Sequence, residues 1–244
     1  HRRHRSGDVR KAVKTLRRNG IENISIDLMF GFPDENLNDW QSDIDEALSL
    51  GVQHISAYSL MYEEGTPLFR LLNEKKIKEI NEETSLKMYE MLIESLTNNG
   101  FEHYEISNFA LPGYRSKHNS SYWKQIPYLG IGASAHSYNI VSRQWNIADV
   151  KDYIRFVNSS SHEYIEETEH LTDTERYNDI ITTTLRTSDG IDTRTLPQRH
   201  RDFILKASQK HIALGNLSLD NGIIRLTRQG LFISDSIMVD LIEE

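Results

Sequence analysis

Asp27 is the side chain whose surroundings most invite chemistry. It stands in Ile24-Ser25-Ile26-Asp27-Leu28-Met29-Phe30, an alternating run closed by Gly31 and Pro33. Alternation puts Ile24, Ile26, Leu28 and Phe30 on one face of a strand, and Ser25, Asp27 and Met29 on the other. A parallel strand buries both faces. A carboxylate there must be paired, hydrogen-bonded or neutralised, because a lone buried charge is very costly. At the C-terminal end of a parallel strand such a residue commonly serves a ligand. The competing reading is a structural Asp that bonds backbone at the turn near Gly31.

A second constellation is His118-Asn119-Ser120-Ser121-Tyr122-Trp123, beside a loop containing Pro112 and Gly113. Imidazole ligates iron axially, and large aromatic rings cover a flat macrocycle. Arg115 and Lys117 stand just before it and could pair with carboxylates on such a ligand. Spacing alone leaves the plain alternatives open: Tyr122 and Trp123 as core anchors, and His118 bonded to a backbone carbonyl. Leu129-Gly130-Ile131-Gly132-Ala133-Ser134-Ala135-His136-Ser137 has G-x-G with Ala135 in place of the third glycine, a weak nucleotide fingerprint. Its close spacing of Gly and Ala predicts backbone approaching a ligand or another strand. His54, Ser56 and Tyr58 share one face of a further strand, where a helix-facing and a barrel-lining role are equally open. Arg2 and His4 precede the first helix, where a loop would let them reach a ligand. His103, His162, His170, His200 and His211 lack metal-ligand spacing. No Walker, H-E-x-x-H or G-x-S-x-G motif occurs.

The elements that must hold these residues alternate between helix and strand. Val9, Ala12, Val13 and Leu16 predict a helix over 7–19, with Ser6 at its cap and Gly20 at its end. A strand over 24–30 follows. Leu37, Trp40, Ile44, Ala47 and Leu48 then give a helix over 37–50, and a strand covers 54–61. Strand, helix and strand predict a right-handed crossover with the two strands parallel and adjacent. Further on come a helix over 82–99, a strand over 101–107, a glycine-punctuated strand over 129–138, a strand over 142–147 and a helix over 148–158.

Composition shifts at Ser159-Ser160-Ser161, which Glu163, Glu166, Glu167 and Glu169 follow. A domain boundary is expected there, dividing 1–160 from 170–244. The second part reads as helices over 172–186 and 199–214, a hairpin over 217–226 turning at Asp220-Asn221-Gly222, and a helix over 228–242. That order predicts a small winged-helix-like α+β domain after an α/β body.

Composition narrows the functions further. The 244 residues carry 28 Lys+Arg against 36 Asp+Glu, a net charge of −8. Such a chain is a poor general binder of nucleic acid, and its second part is net acidic with no basic recognition helix. No run reaches the roughly 18 apolar residues of a membrane span, and no signal peptide is evident, so a cytoplasmic setting is expected. There is no cysteine. That removes disulfides, thiol catalysis, the usual structural zinc and any cysteine-ligated cluster.

Several strings together resemble one family. They are Arg2-x-His4, Ser25-Ile-Asp27-Leu-Met-Phe-Gly31-Phe-Pro33, Glu63-x-Gly65-Thr66, Tyr104-Glu105-Ile106-Ser107-Asn108-Phe109-Ala110, His118-Asn119-x-x-Tyr122-Trp123 and Leu129-Gly-x-Gly132-x-x-Ala135-His136-Ser137. In this order they resemble the later half of the HemW-type heme chaperones, radical S-adenosylmethionine proteins related to the oxygen-independent coproporphyrinogen III oxidases. The resemblance implies that residues 1–160 are the C-terminal part of a broken (β/α) barrel of the radical S-adenosylmethionine type. It implies S-adenosylmethionine contacts at Arg2 and Asp27, with a backbone contact at Met61. It implies heme contact at His118, Asn119, Tyr122 and Trp123, with heme iron at His118 as the one metal contact.

The function implied is heme binding and delivery to heme-accepting proteins, with peripheral membrane association at most and no nucleic acid. The alternative is a fragment of a coproporphyrinogen III oxidase, an oxidative decarboxylase of porphyrin biosynthesis; the H-N-x-x-Y-W string argues against it. The family's C-x-x-x-C-x-x-C motif, which binds a [4Fe–4S] cluster, would precede residue 1. The chain is therefore expected to be a fragment that holds no cluster and is not catalytically active alone.

Overall fold

A computed structural model of the protein describes residues 5–159 and 165–244. The chain forms two compact units, His1–Ser116 and Lys117–Glu244.

In the first unit, α1 (Ser6–Arg18) begins one residue before the expected span. Its cap position is Arg5 rather than Ser6, and the Arg5 N–H donates to the Asp8 carboxylate at 2.9 Å. After β1 (Ser25–Phe30), the Asn36 side-chain oxygen accepts from the N–H groups of Asn38 and Asp39 and starts α2 (Leu37–Ser49). Next come β2 (His54–Ser59), α3 (Pro67–Asn73) and α4 (Glu82–Asn98). The expected parallel pairing is observed: β1 lies beside β2 in register from Ser25–His54 to Phe30–Ser59.

The expected strand over 101–107 is a hairpin instead, β3 (Glu102–Glu105) and β4 (Asn108–Ala110). The Glu105 carboxylate accepts from the Ser107 N–H at 2.9 Å and so pins the reversal. β4 pairs antiparallel with both β2 and β3, giving the sheet order β1-β2-β4-β3. One face of this sheet carries the core. Phe30, Ile55, Ala57 and Phe109 are buried together with Trp40, Ile44 and Ala47 of α2 and Met88, Leu92 and Leu96 of α4. The Phe30 ring lies 5.1 Å from Trp40 and 6.5 Å from Tyr89.

The second unit begins with α5 (Lys117–Trp123), so His118 to Trp123 form a short helix. β5 (His136–Tyr138), β6 (Ser142–Asn146), α6 (Val150–Asn158) and β7 (Ile165–His170) follow. The glycine-punctuated stretch 129–135 contains no strand; only 136–138 pairs, in an antiparallel sheet of order β5-β6-β7. That sheet overturns the boundary expected near 160. Ser142 to Asn146 pair with Ile165 to His170, and Arg143 forms an ion pair with Asp179. Chain on both sides of 160–164 therefore belongs to one unit, and the division falls after Ser116.

The rest comprises α7 (Asp173–Thr184), β8 (Ile191–Asp192), α8 (Gln198–Ala207), α9 (Gln209–Ala213), β9 (Leu217–Asp220), β10 (Ile223–Leu226), α10 (Arg228–Leu231) and α11 (Ser234–Leu241). The β9–β10 hairpin turns at Asn221 (φ 49°) and Gly222 (φ 79°), the two positive angles that a two-residue primed turn demands. Helices expected over 199–214 and 228–242 are each broken in two. Tyr177 of α7 stacks on buried His200 at 4.7 Å and donates to the Leu241 carbonyl, tying α7, α8 and α11 together. Arg199 and His200 both bond the Glu243 carboxylate, and these contacts hold its pKa below the usual range. Among the described residues, no helix is long and apolar enough to cross a membrane.

Gly130 explains one of the glycines in the 129–135 stretch. A Cβ built there would lie 2.1 Å from the His136 carbonyl oxygen. The close approach is to the protein's own β5 backbone, one of the two partners the sequence left open. Gly130→Ala should cost about 1–3 kcal/mol through forced backbone movement. Urea unfolding of the variant checks this; an unchanged midpoint would show that the loop yields freely.

Candidate functional site

Two surfaces gather the chemistry-bearing residues, one in each unit. The first is the sheet face opposite the Trp40 core. In the β1–β2 register Ser25 pairs with His54, Asp27 with Ser56, and Met29 with Tyr58. These six side chains share the face that alternates away from Phe30. Asp27 thus faces away from the helices, as its alternation predicts. Burial on both faces is not found: β1 is the outer strand of the sheet, and Ser25 and Asp27 are exposed. Asp27 is also the third residue of β1 rather than its last.

Over β2 and β4 the same face is covered. His54 is 5% exposed and Ser56 4%. The Ser25 hydroxyl meets His54 Nδ1 at 2.8 Å, and His54 Nε2 meets the Tyr104 hydroxyl at 2.7 Å. The Ser116 N–H donates to that same phenol oxygen at 3.1 Å. Beside this chain, Ser56 Oγ donates to Asn108 Oδ1, and Asn108 Nδ2 donates to the buried Glu105 carboxylate at 2.5 Å. Burial pushes the His54 pKa down, opposed more weakly by the negative charge of Asp27. Burial likewise pushes the Tyr104 phenol up.

The result is a rigid, satisfied polar floor beside an open carboxylate. Sequence reasoning assigned no role to Tyr104, Glu105 or Asn108. The signal available was the polar alternation within Tyr104-Glu105-Ile106-Ser107-Asn108. Met61 lies beyond the end of β2, its side chain 72% exposed. Arg2 and His4 lie outside the described residues.

The second surface is α5. His118 and Tyr122 are both exposed and sit four residues apart, one turn along the helix. His118 Nε2 and the Tyr122 hydroxyl are 3.2 Å apart, with the rings edge to face at 5.0 Å and 88°. Tyr122 in turn meets Tyr128 edge to face at 4.9 Å. Tyr128 and Tyr138 exchange both backbone hydrogen bonds at 2.9 Å. Burial, with Tyr122 as a smaller cause, pushes the Tyr128 phenol up.

Asn119 and Trp123 are half-buried. The Trp123 carbonyl accepts from Thr184 Oγ1, and Gln125 bridges the Tyr138 hydroxyl to Thr183. Inward residues therefore fix the helix on α7 while His118 and Tyr122 face water. Arg115 does not act as the free cation expected beside this motif. Its guanidinium pairs with Glu102 at 2.9 Å and lies over the Tyr104 ring. Among the described residues, no cluster of three or more His, Asp or Glu could hold a metal ion.

Comparison with known proteins gives three kinds of likeness. The family described as "HemN C-terminal domain" matches residues 171–233. The Bacillus subtilis protein named "Heme chaperone HemW" is 32% identical over 238 residues, covering 96% of this chain and 62% of that protein. Its Synechocystis namesake is 39% identical over 137 residues, 56% of this chain and 33% of that protein. The mouse "Radical S-adenosyl methionine domain-containing protein 1, mitochondrial" is 27% identical over 258 residues, 100% of this chain and 58% of that protein. Among solved structures, the Escherichia coli coproporphyrinogen III oxidase (HemN), described as a radical SAM enzyme, superposes with a TM-score of 0.73 at 17% identity. The match covers 99% of this chain and 59% of that one. The chain thus spans about three-fifths of the length of the B. subtilis relative.

Proposed function

The chain belongs to the HemW-type family of radical S-adenosylmethionine proteins, and on that premise we propose that it contacts heme through α5 for delivery to heme-accepting proteins. The observation that carries this reading is the exposed His118–Tyr122 pair on a helix whose inward side is fixed. An outward imidazole and phenol supply donors that iron accepts, and the rings supply a surface for a flat macrocycle. Asn119 and Trp123, which the resemblance also assigns to heme contact, stand half-buried on the same helix and belong to this reading as its flanking residues. The relatives' name, heme chaperone, supports it. The oxidase alternative has less behind it, because the solved oxidase shares the fold at 17% identity.

The finer readings of the fold are also ours. We take β1 and β2 as the closing parallel strands of a broken (β/α) barrel, and the α7–α11 region as winged-helix-like. The open sheet face then becomes barrel interior, and Asp27 the group that would accept hydrogen bonds from S-adenosylmethionine there. The contacts of Arg2 and Met61 rest on the resemblance. Bound, that cofactor would be a source of reductive cleavage chemistry in the presence of an iron–sulfur cluster. The 244 residues contain no cysteine, so they supply no thiolate for such a cluster.

Hemin titrated into the chain should shift its Soret band. His118→Ala should weaken that binding, while His170→Ala, on exposed β7, should leave it unchanged. Equal titrations for the chain and for His118→Ala would remove the α5 face from the site.

A further inference from the structure

Asparagine precedes glycine three times, at Asn19, Asn99 and Asn221. In such a pair the glycine nitrogen can attack the asparagine Cγ. A C–N bond forms, ammonia leaves with the side-chain nitrogen and the glycine proton, and a five-membered imide remains. Water opens the imide at either carbonyl, giving aspartate or isoaspartate, and no oxidant or cofactor takes part. Glycine favours the attack because it has no Cβ to obstruct it. We propose that the fold directs this modification to Asn221, where it loosens the junction of β8 with β10.

The three pairs differ in what holds them. Ring closure needs the side-chain amide to turn towards the glycine nitrogen, and that nitrogen to be released from any hydrogen bond. Asn19 follows α1 and Asn99 follows α4, and both are held in the same way. Asn19 Nδ2 donates to the Thr15 carbonyl at 2.8 Å, and the Gly20 N–H to the Arg17 carbonyl at 3.0 Å. Asn99 Nδ2 donates to the Ser95 carbonyl at 2.8 Å, and the Gly100 N–H to the Thr97 carbonyl at 3.0 Å. Both bonds of a pair must open before its ring can close, and each opening thins the reactive population.

Asn221 has neither restraint. It is exposed, and among the described residues neither its side chain nor the Gly222 N–H has a hydrogen-bond partner. Its φ of 49° is a left-handed conformation, which is costly for an L residue and gives little resistance to rotation. What is held is the far side of Gly222. The Gly222 carbonyl accepts from the Thr193 N–H at 2.9 Å and from Thr193 Oγ1 at 2.8 Å. The torsions of glycine take up the rotation between its free nitrogen and that fixed carbonyl. Isoaspartate then adds a methylene to the main chain of a turn that fits two residues. The Gly222 carbonyl shifts, and buried Thr193, directly after β8, loses its acceptor.

Peptide mass spectrometry of the full chain, aged in mildly alkaline buffer, reads the conversion of amide to acid at each position. Conversion at Asn221 should run about tenfold or more ahead of Asn19 and Asn99. In chain denatured by guanidinium the three rates should converge, because only the fold separates them. Equal rates in the folded chain, or a lead at Asn19 or Asn99, would overturn the assignment. Asn221→Gly keeps a residue suited to the turn and should leave conversion at the other two positions unchanged. Gly222→Ala is no clean control, since its Cβ would lie 3.1 Å from the Arg194 side chain. Amide hydrogen exchange at Thr193 should quicken once Asn221 has converted; unchanged exchange in fully converted chain would overturn the coupling to β8. The folded parent alone decides the site even if the variant fails to fold.

Discussion

Trp40→Ala should destabilise the first unit by about 3–5 kcal/mol, the usual cost of deleting a buried large aromatic. Trp40 is wholly buried, sits 5.1 Å from the Phe30 ring, and donates from its indole nitrogen to the Met88 carbonyl at 2.9 Å. It therefore joins β1, α2 and α4 at one point. Truncation removes more side-chain volume than its neighbours Ile44, Met88 and Leu92 can refill by rotamer changes. Trp40→Phe should cost less, since Phe keeps a ring and Met88 keeps its helical backbone environment. Urea unfolding followed by far-ultraviolet circular dichroism reads both. Equal midpoints for Trp40→Ala and the parent would mean that the sheet does not depend on this anchor. The placement of Asp27 would then need another explanation.

That anchor was legible in the sequence, and so was the crossover around it. Trp40, Ile44 and Ala47 fall at helical spacing, and the flanking strands alternate between Gly and Pro punctuation, so local pattern and tertiary packing agree. The parallel pairing follows from crossover handedness, without knowledge of any contact. What failed was the inference from parallel pairing to burial. It presumes a strand with neighbours on both sides, and among the described residues β1 has a neighbour only on its β2 side. Asp27 therefore carries no burial penalty.

The α5 site was legible as a set of residues but not as an element. His118-Asn119-Ser120-Ser121 has no apolar period, and Asn and Ser compete for backbone bonds in ways that disfavour helix interiors. The helix forms because tertiary contacts hold its end, through Thr184 to the Trp123 carbonyl, while Ser121 bonds back to the Lys117 carbonyl. The stretch 129–135 misled in the opposite direction. Leu129 and Ile131 alternate as in a strand, yet they are 74% and 84% exposed, and Gly130 and Gly132 turn the backbone onto β5 and the Tyr153 hydroxyl. The serine run at 159–161 looked like a linker because composition is local, whereas the sheet that spans it is made by pairing at a distance.

The second large effect is expected at Tyr104, a residue without any role at the sequence level. Tyr104→Phe keeps the ring and removes one oxygen, so packing changes little. The lost hydroxyl serves two partners at once, His54 Nε2 at 2.7 Å and the Ser116 N–H at 3.1 Å. His54 is buried and cannot turn to water without leaving Ser25. Leaving buried polar groups unpaired costs about 1–3 kcal/mol each, so the substitution should cost about 2–4 kcal/mol. A loss below about 0.5 kcal/mol would mean that water replaces the phenol and that the chain of bonds has no structural weight.

The same chain predicts a pH dependence. Burial holds the folded-state pKa of His54 below its ordinary value, so the unfolded chain takes up a proton first. The His54 contribution to stability is then fully present above about pH 6.5 and is lost as the pH falls below it. Thermal unfolding of the parent should show this decline, and His54→Gln should flatten it. A parent and a His54→Gln variant with parallel pH profiles would show that His54 binds protons equally in the folded and unfolded chains, so that its burial carries no weight in the pH dependence.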